Sequence, residues 1–178
     1  MVARKRMTVA EFVELVENNP EKYFKFTAEG DVIEVTPKLA HSVTQAHIAR
    51  YFDVYLDSGA LTGYYVVTEC AHDLDGWPCR PDVAIVDMNS APIPTAAPMV
   101  AVEIKSDSNS LTDLREKARK YLEHGTKMVL LAYPEKRIIE VYQADADIQL
   151  LTAEDTLNGD DILPGFSVTV ANLFPKMG

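Results

Sequence analysis

Arg80-Pro81-Asp82-Val83-Ala84-Ile85-Val86 and, further along, Val102-Glu103-Ile104-Lys105-Ser106 decide how this sequence reads. Both contain short apolar runs of the kind expected for buried strands. Asp82 opens the first run, and Glu103 and Lys105 close the second. Side chains alternate faces along a strand, so Glu103 and Lys105 are expected on the same side. If the two strands are neighbours, two carboxylates and an ammonium converge on one spot. Such a group suits Mg²⁺, which takes hard oxygen ligands and keeps several waters; Mn²⁺ is a second candidate. A bound ion acidifies a water and stabilises charge on a phosphoryl oxygen. A lysine beside it can orient that water or offset the developing charge. Taken singly, each residue is better explained as half of an exposed ion pair, which stabilises little. The combination favours a metal site with Asp82 and Glu103 as ligands.

Working outward, Thr8-Val9-Ala10-Glu11 reads as a capping box opening a short helix that ends near Asn18-Asn19-Pro20. Strands are expected at Tyr23 to Phe26 and Val32 to Thr36, split by a turn at Glu29-Gly30-Asp31. From Ser42 to Leu56 the apolar positions Val43, Ala46, Ile48, Phe52, Val54 and Leu56 predict a helix. Tyr64 to Cys70 is a further strand, followed by a turn at Asp75-Gly76-Trp77-Pro78. A second helix spans Leu111 to His124, with Leu114, Ala118, Tyr121 and Leu122 on one face and Gly125 as its C-terminal stop. Strands near Met128 to Ala132, Ile138 to Tyr142 and Ile148 to Leu151 follow. The tail from Leu163-Pro164-Gly165-Phe166 to Phe174 adds a last strand and a docking segment. This order predicts an α/β (α+β) fold: a mixed β-sheet flanked by helices.

With 178 residues the chain is expected to form one domain, 1–178. No apolar run approaches the roughly 20 residues that cross a bilayer. Met1 to Met7 is basic without a following apolar region, so no secretion signal is expected. Cys70 and Cys79 form no disulfide framework and suit a reducing, cytoplasmic setting. The net charge of −10 runs against broad contact with a phosphate backbone. Any nucleic-acid role therefore needs a local basic patch, a divalent ion or a partner.

These residues resemble the PD-(D/E)XK nuclease superfamily and, within it, the Uma-two family of "putative restriction endonucleases". The matching pieces are Gly30-Asp31-Val32-Ile33-Glu34-Val35-Thr36-Pro37, then His41, then Arg80 to Val86, then Val102 to Ser106, and finally Asp113, Lys117, Tyr121 and Gly125. The resemblance implies a restriction-endonuclease-like core, Asp82 and Glu103 as metal ligands and Lys105 as the catalytic lysine. It also implies DNA as the partner and homodimerisation for duplex cleavage. Many family members have an apolar residue where Lys105 stands, with the helix lysine matching Lys117 as its substitute; this chain keeps both. The family also commonly has a glutamate before the first glycine turn. Ungapped matching puts Phe26 there, so that one acidic ligand is either absent or supplied by Glu34 or Glu69.

His41 is weighed as a site-lining acid, base or phosphate contact against a helix-start residue bonded locally. His47, His72 and His124 fall in no ligand spacing. Arg115, Lys117, Arg119, Lys120 and Lys127 form the one sizeable basic cluster; Arg115 and Lys120 read as a solvated face, and Lys117 shares a face with Asp113 and Tyr121. Trp77 reads as a packed turn residue. The leading functional expectation is a Mg²⁺-dependent endonuclease acting on DNA phosphodiester bonds. The alternatives are a nuclease-fold binding or assembly module with weakened catalysis, and a hydrolase of another phosphoester.

Overall fold

The structure, a computed structural model, describes residues 7–176. The basic stretch ahead of Met7, from which no secretion signal was expected, lies outside those residues. Helix α1 (Val9–Glu17) opens with the expected reciprocal Thr8/Glu11 capping box. Its Phe12 packs on Phe26, with ring centroids 4.3 Å apart. Phe26 belongs to an antiparallel ribbon of β1 (Tyr23–Phe26) and β2 (Val32–Val35). Helix α2 (Leu39–Asp57) starts earlier than the apolar pattern predicts. Its buried positions are His41, Thr44, Ile48, Phe52 and Tyr55, and Val54 is exposed, so the buried stripe differs from the sequence expectation.

Strand β3 (Tyr64–Thr68) is followed by a hairpin, β4 (His72–Leu74) and β5 (Trp77–Cys79). Asp75 and Gly76 between them have φ of 51° and 81°. Positive φ at both central residues matches the right-handed strand twist in a two-residue hairpin. The expected turn is therefore shorter than the sequence reading, and Trp77 and Pro78 lie in a strand. Next come β6 (Val83–Asp87), β7 (Val100–Ile104), α3 (Leu111–Glu123), β8 (Met128–Tyr133), β9 (Ile138–Gln143) and β10 (Gln149–Leu151). A small ribbon of β11 (Thr156–Asn158) and β12 (Ser167–Thr169) precedes a 3₁₀ turn at Val170–Leu173.

The main sheet has six strands in the order β10-β9-β8-β7-β6-β3. Only β7 and β8 run parallel, and α3 supplies the crossover that a parallel pair requires. Alternation along β7 divides the core. Val100, Val102 and Ile104 join Ile48 and Phe52 of α2 and the tail residues Leu163, Phe166 and Phe174 on one face. On the other, Ala101 packs with Leu114, Ala118 and Tyr121 of α3. The fold is thus the expected mixed α+β layer structure. Among the described residues no helix is long and apolar enough to cross a membrane.

Candidate metal centre

Antiparallel pairing of β6 with β7 sets Val83 opposite Val102, so the residue preceding β6 meets the end of β7. That residue is Asp82, which is fully buried. Its N–H extends the ladder by donating to the Val102 carbonyl at 2.9 Å, and its Oδ2 accepts the Ile104 N–H at 2.6 Å. Oδ1 accepts from the Lys25 ammonium on β1 and lies 3.4 Å from His41 Nε2 on α2. Burial alone would push this carboxyl's pKa up; Lys25 and His41 outweigh it and hold the group below the usual carboxylate range. Burial likewise opposes the Lys25 ammonium, but the charges of Asp82, Glu103 and Glu69 more than offset it, and its pKa is raised.

Glu69 follows the last residue of β3 with φ of 54°, a conformation that costs an L-residue of this kind about 1–2 kcal/mol. It directs its carboxylate inward: Oε1 accepts from Gln45 Nε2 at 3.2 Å, and Oε2 lies 3.4 Å from Arg80 Nε. Gln45 also donates to the Asp82 carbonyl at 2.9 Å. Gln45 comes four positions after His41, so one face of α2 carries both. Burial, reinforced by the charge of Asp82, raises the Glu69 pKa against Lys25 and Arg80. The ligand atoms of His41, Glu69 and Asp82 all lie within 4.8 Å of one another. A cleft lined by Tyr23, Ser42, Gln45, Thr68 and Glu69 leads to this side of the group.

Whether these residues fit a metal can be tested on their unsatisfied atoms. Both ring nitrogens of His41 and Oε2 of Glu69 are buried without a hydrogen-bond partner. A neutral imidazole carries one N–H and one lone pair, so His41 offers a single ligand nitrogen. That atom and Glu69 Oε2, which lies 3.4 Å from Arg80 Nε, make no short hydrogen bond and can still accept a cation. Two carboxylates and an imidazole are a chemically sound donor set for a divalent cation. The residues fit.

Glu103 stands outside that triplet and is also fully buried. Its Oε2 accepts from Lys117 Nζ at 3.1 Å and its Oε1 from Tyr121 Oη at 3.0 Å. Lys117 is 2% exposed, on the buried face of α3. Burial raises the pKa of Glu103, and Lys117 only partly offsets it. Of the two candidate lysines, Lys117 is therefore the one in contact with a site carboxylate. Lys105 lies just past β7; its N–H pairs with the Ala132 carbonyl, while its ammonium donates to the Ser106 carbonyl. It lines a separate cleft of about 170 Å³ with Asp107, Tyr133 and Lys136.

Glu34 is on the surface, 2.9 Å from Lys22, and does not join the site. Phe26 is in the small aromatic core with Phe12 and Phe24. The neighbour of Phe26, Lys25, reaches the site instead. Lys25, Gln45 and Arg80 are the site residues that sequence reasoning missed. For Lys25 a signal existed: a lysine between Phe24 and Phe26 faces away from both, and a strand so flanked can be buried on either side. On α3, Arg115 pairs with Glu140 of β9 at 2.5 Å and Lys120 donates to the Ala28 carbonyl at 2.6 Å. Arg115 remains exposed, as expected of a solvated face, while Lys120 is partly buried; each also has a protein partner.

The layered fold thus brings the buried carboxylates Asp82 and Glu103 to the place where β6 meets the end of β7. A solved structure described as "a putative nuclease belonging to DUF820" from Anabaena variabilis matches with a TM-score of 0.79 and 20% identity, covering 94% of this chain and 97% of that one. The family model for Uma-two, described as "Putative restriction endonuclease", matches residues 9–171, and the chain belongs to that family. A DrdV–DNA complex solved by cryoEM aligns over 62% of this chain and 12% of that one, at 15% identity and a TM-score of 0.34. No curated protein sequence matches the chain.

Proposed function

We propose that the protein is a divalent-metal-dependent endonuclease that hydrolyses DNA phosphodiester bonds. The observation that carries this reading is the convergence of Asp82, Glu69 and His41, whose ligand atoms all lie within 4.8 Å of one another, in a chain of this family. These three residues would hold the ion, with Glu103 supporting the site from the α3 side. Mg²⁺ is the expected ion, and the imidazole in the donor set also admits Mn²⁺. When bound, such an ion acidifies a water and polarises a phosphoryl oxygen.

The remaining chemistry belongs to the chain. Gln45, bonded to both Glu69 and the Asp82 carbonyl, fixes the spacing of the two acids. The Ile104 N–H orients the Asp82 carboxylate, and Lys117 and Tyr121 together lock Glu103 in one rotamer. Lys117 is the better-placed assisting lysine. In the cleft beside the end of β7, Lys105 and Lys136 stand with Asp107 and Glu135, and Lys38 pairs with Asp107, so three lysines against two acids leave one positive charge to meet a phosphate. Two copies of the chain would be needed to cut both strands at once.

The test is plasmid cleavage with Mg²⁺ or Mn²⁺ by the wild type, Asp82→Ala, Lys105→Ala and Lys117→Met. Loss with Asp82→Ala is expected, and a larger loss with Lys117→Met than with Lys105→Ala. Equal cleavage by all four proteins would trace the activity to a contaminant and end the proposal. The overall acidity favours one second reading, a binding or assembly module with weakened catalysis. Metal binding by the wild type without cleavage of any DNA form would select it.

A further inference from the structure

Lys25 is an unusual neighbour for a metal ligand. It is 4% exposed, in a strand whose flanking residues Phe24 and Phe26 are buried on the opposite face. Its ammonium bonds to Asp82 Oδ1, the oxygen that His41 also approaches. The other oxygen of Asp82 is held by the Ile104 N–H. Charge bookkeeping around the site is closed without an ion: the carboxylates of Asp82, Glu103 and Glu69 face Lys25, Lys117 and Arg80 respectively. A divalent cation entering this group adds charge to a neutral, buried cluster and meets an ammonium at the oxygen it needs. Like charges at such separations in a low dielectric repel strongly.

Resting on the metal-dependent reading above, we propose that Lys25 is the site's resident cation: it balances Asp82 in the metal-free protein, and a divalent ion binds only by displacing its ammonium from Oδ1. The lysine stem makes the exchange feasible. The ammonium is a flexible point charge on four methylenes, and its hydrogen bond is to Asp82. Lys117, by contrast, answers Glu103 from the opposite helix and has no reason to move. Lys25 therefore sets the metal affinity of the site and makes the metal-free fold stable.

The experiment is calorimetric titration with Mn²⁺, paired with thermal melts in its presence and absence, on the wild type, Lys25→Gln, Lys25→Met and Lys25→Arg. Lys25→Gln and Lys25→Met are expected to bind Mn²⁺ at least tenfold more tightly than the wild type. They should melt lower without metal and gain more from Mn²⁺ than the wild type does. Lys25→Arg keeps the charge and should bind no better than the wild type. Should Lys25→Met fail to fold, Lys25→Gln carries the comparison, since it retains a donor toward Asp82. Binding by the neutral variants alone would support the proposal in its strongest form. Equal affinity in wild type and neutral variants would overturn the role of Lys25 while leaving the metal site intact. No binding by any of the four proteins would overturn the metal reading, and this proposal with it.

Discussion

Replacing Lys117 with methionine should cost stability in a way that depends on pH, and the structure sets both the size and the sign. Lys117 and Glu103 are 2% and 0% exposed, and they meet at 3.1 Å. Removing one partner of such a pair leaves a buried carboxylate uncompensated, which costs about 3–5 kcal/mol. For a chain of this length that corresponds to a fall in Tm of roughly 6–20 °C. Glu103 already has a raised pKa because burial outweighs Lys117. A raised acid in the folded state keeps a proton that the unfolded chain has released, so its contribution weakens stability as pH rises above about 4.3. Without Lys117 that pKa climbs further. The penalty should therefore be larger at pH 7.5 than in mild acid, because protonating Glu103 removes the uncompensated charge. Urea unfolding at both pH values measures it, and Glu103→Gln in the Lys117→Met background should recover most of the loss at pH 7.5. A loss below about 1 kcal/mol at pH 7.5, within the range of an exposed pair, would refute the reasoning; so would a loss that does not change with pH.

Other expectations rest on single contacts. Tyr121→Phe removes the donor to Glu103 Oε1 and should cost about 1–3 kcal/mol by urea unfolding. Glu69→Gly relieves a φ of 54° and should leave stability unchanged or raise it by up to about 1 kcal/mol, while weakening Mn²⁺ binding at least tenfold by calorimetry. Asp82 has a depressed pKa, so its stabilisation is present above about pH 4 and is lost as pH falls through its folded value. Acid titration followed by circular dichroism should accordingly show a shallower acid limb for Asp82→Asn than for the wild type. Ser110→Ala removes the side chain that accepts the Asp113 N–H at the start of α3, and should cost about 1 kcal/mol in thermal melts.

Strongly periodic and strongly apolar segments were legible in the sequence. The runs around Asp82 and Glu103 are strands β6 and β7, they are neighbours, and the Leu111 helix lies within one residue of its expected end. Elements fixed by tertiary contact were harder to read. Pro78 argues against a strand, yet β5 is held opposite β4 by the Asp75-Gly76 turn and by Trp77, whose indole donates to the Ala28 carbonyl. The buried face of α2 was misjudged because polar His41 and Thr44 carry the stripe toward the site while Val54 faces solvent. Placing Lys105 beside Glu103 assumed that strand alternation continued past Ile104. The strand stops there, and the side chain is free to turn to the Ser106 carbonyl. For Lys25 the flanking Phe24 and Phe26 signal a strand buried on both faces, but which residue that strand meets depends on how the β1–β2 ribbon docks on the main sheet, and no local pattern encodes that.

The whole-chain charge and the site's charge are separate quantities, and conflating them gives the wrong reading of the −10 total. Within the site, three carboxylates are each matched by a cation at 3.4 Å or closer, all six from different positions along the chain. The surplus of acids therefore resides on the exposed surface, where salt screens it over about 8–10 Å. A phosphate arriving at the cleft beside the end of β7 meets Lys105 and Lys136 together with Asp107 and Glu135, and Lys38 pairs with Asp107. What the surplus does oppose is extended, nonspecific wrapping of a duplex, which depends on many simultaneous phosphate contacts. An acidic exterior around a neutralised interior is thus compatible with a small, local footprint on a substrate, and under the proposed role of Lys25 metal affinity would follow from the buried charges rather than from the protein's overall field.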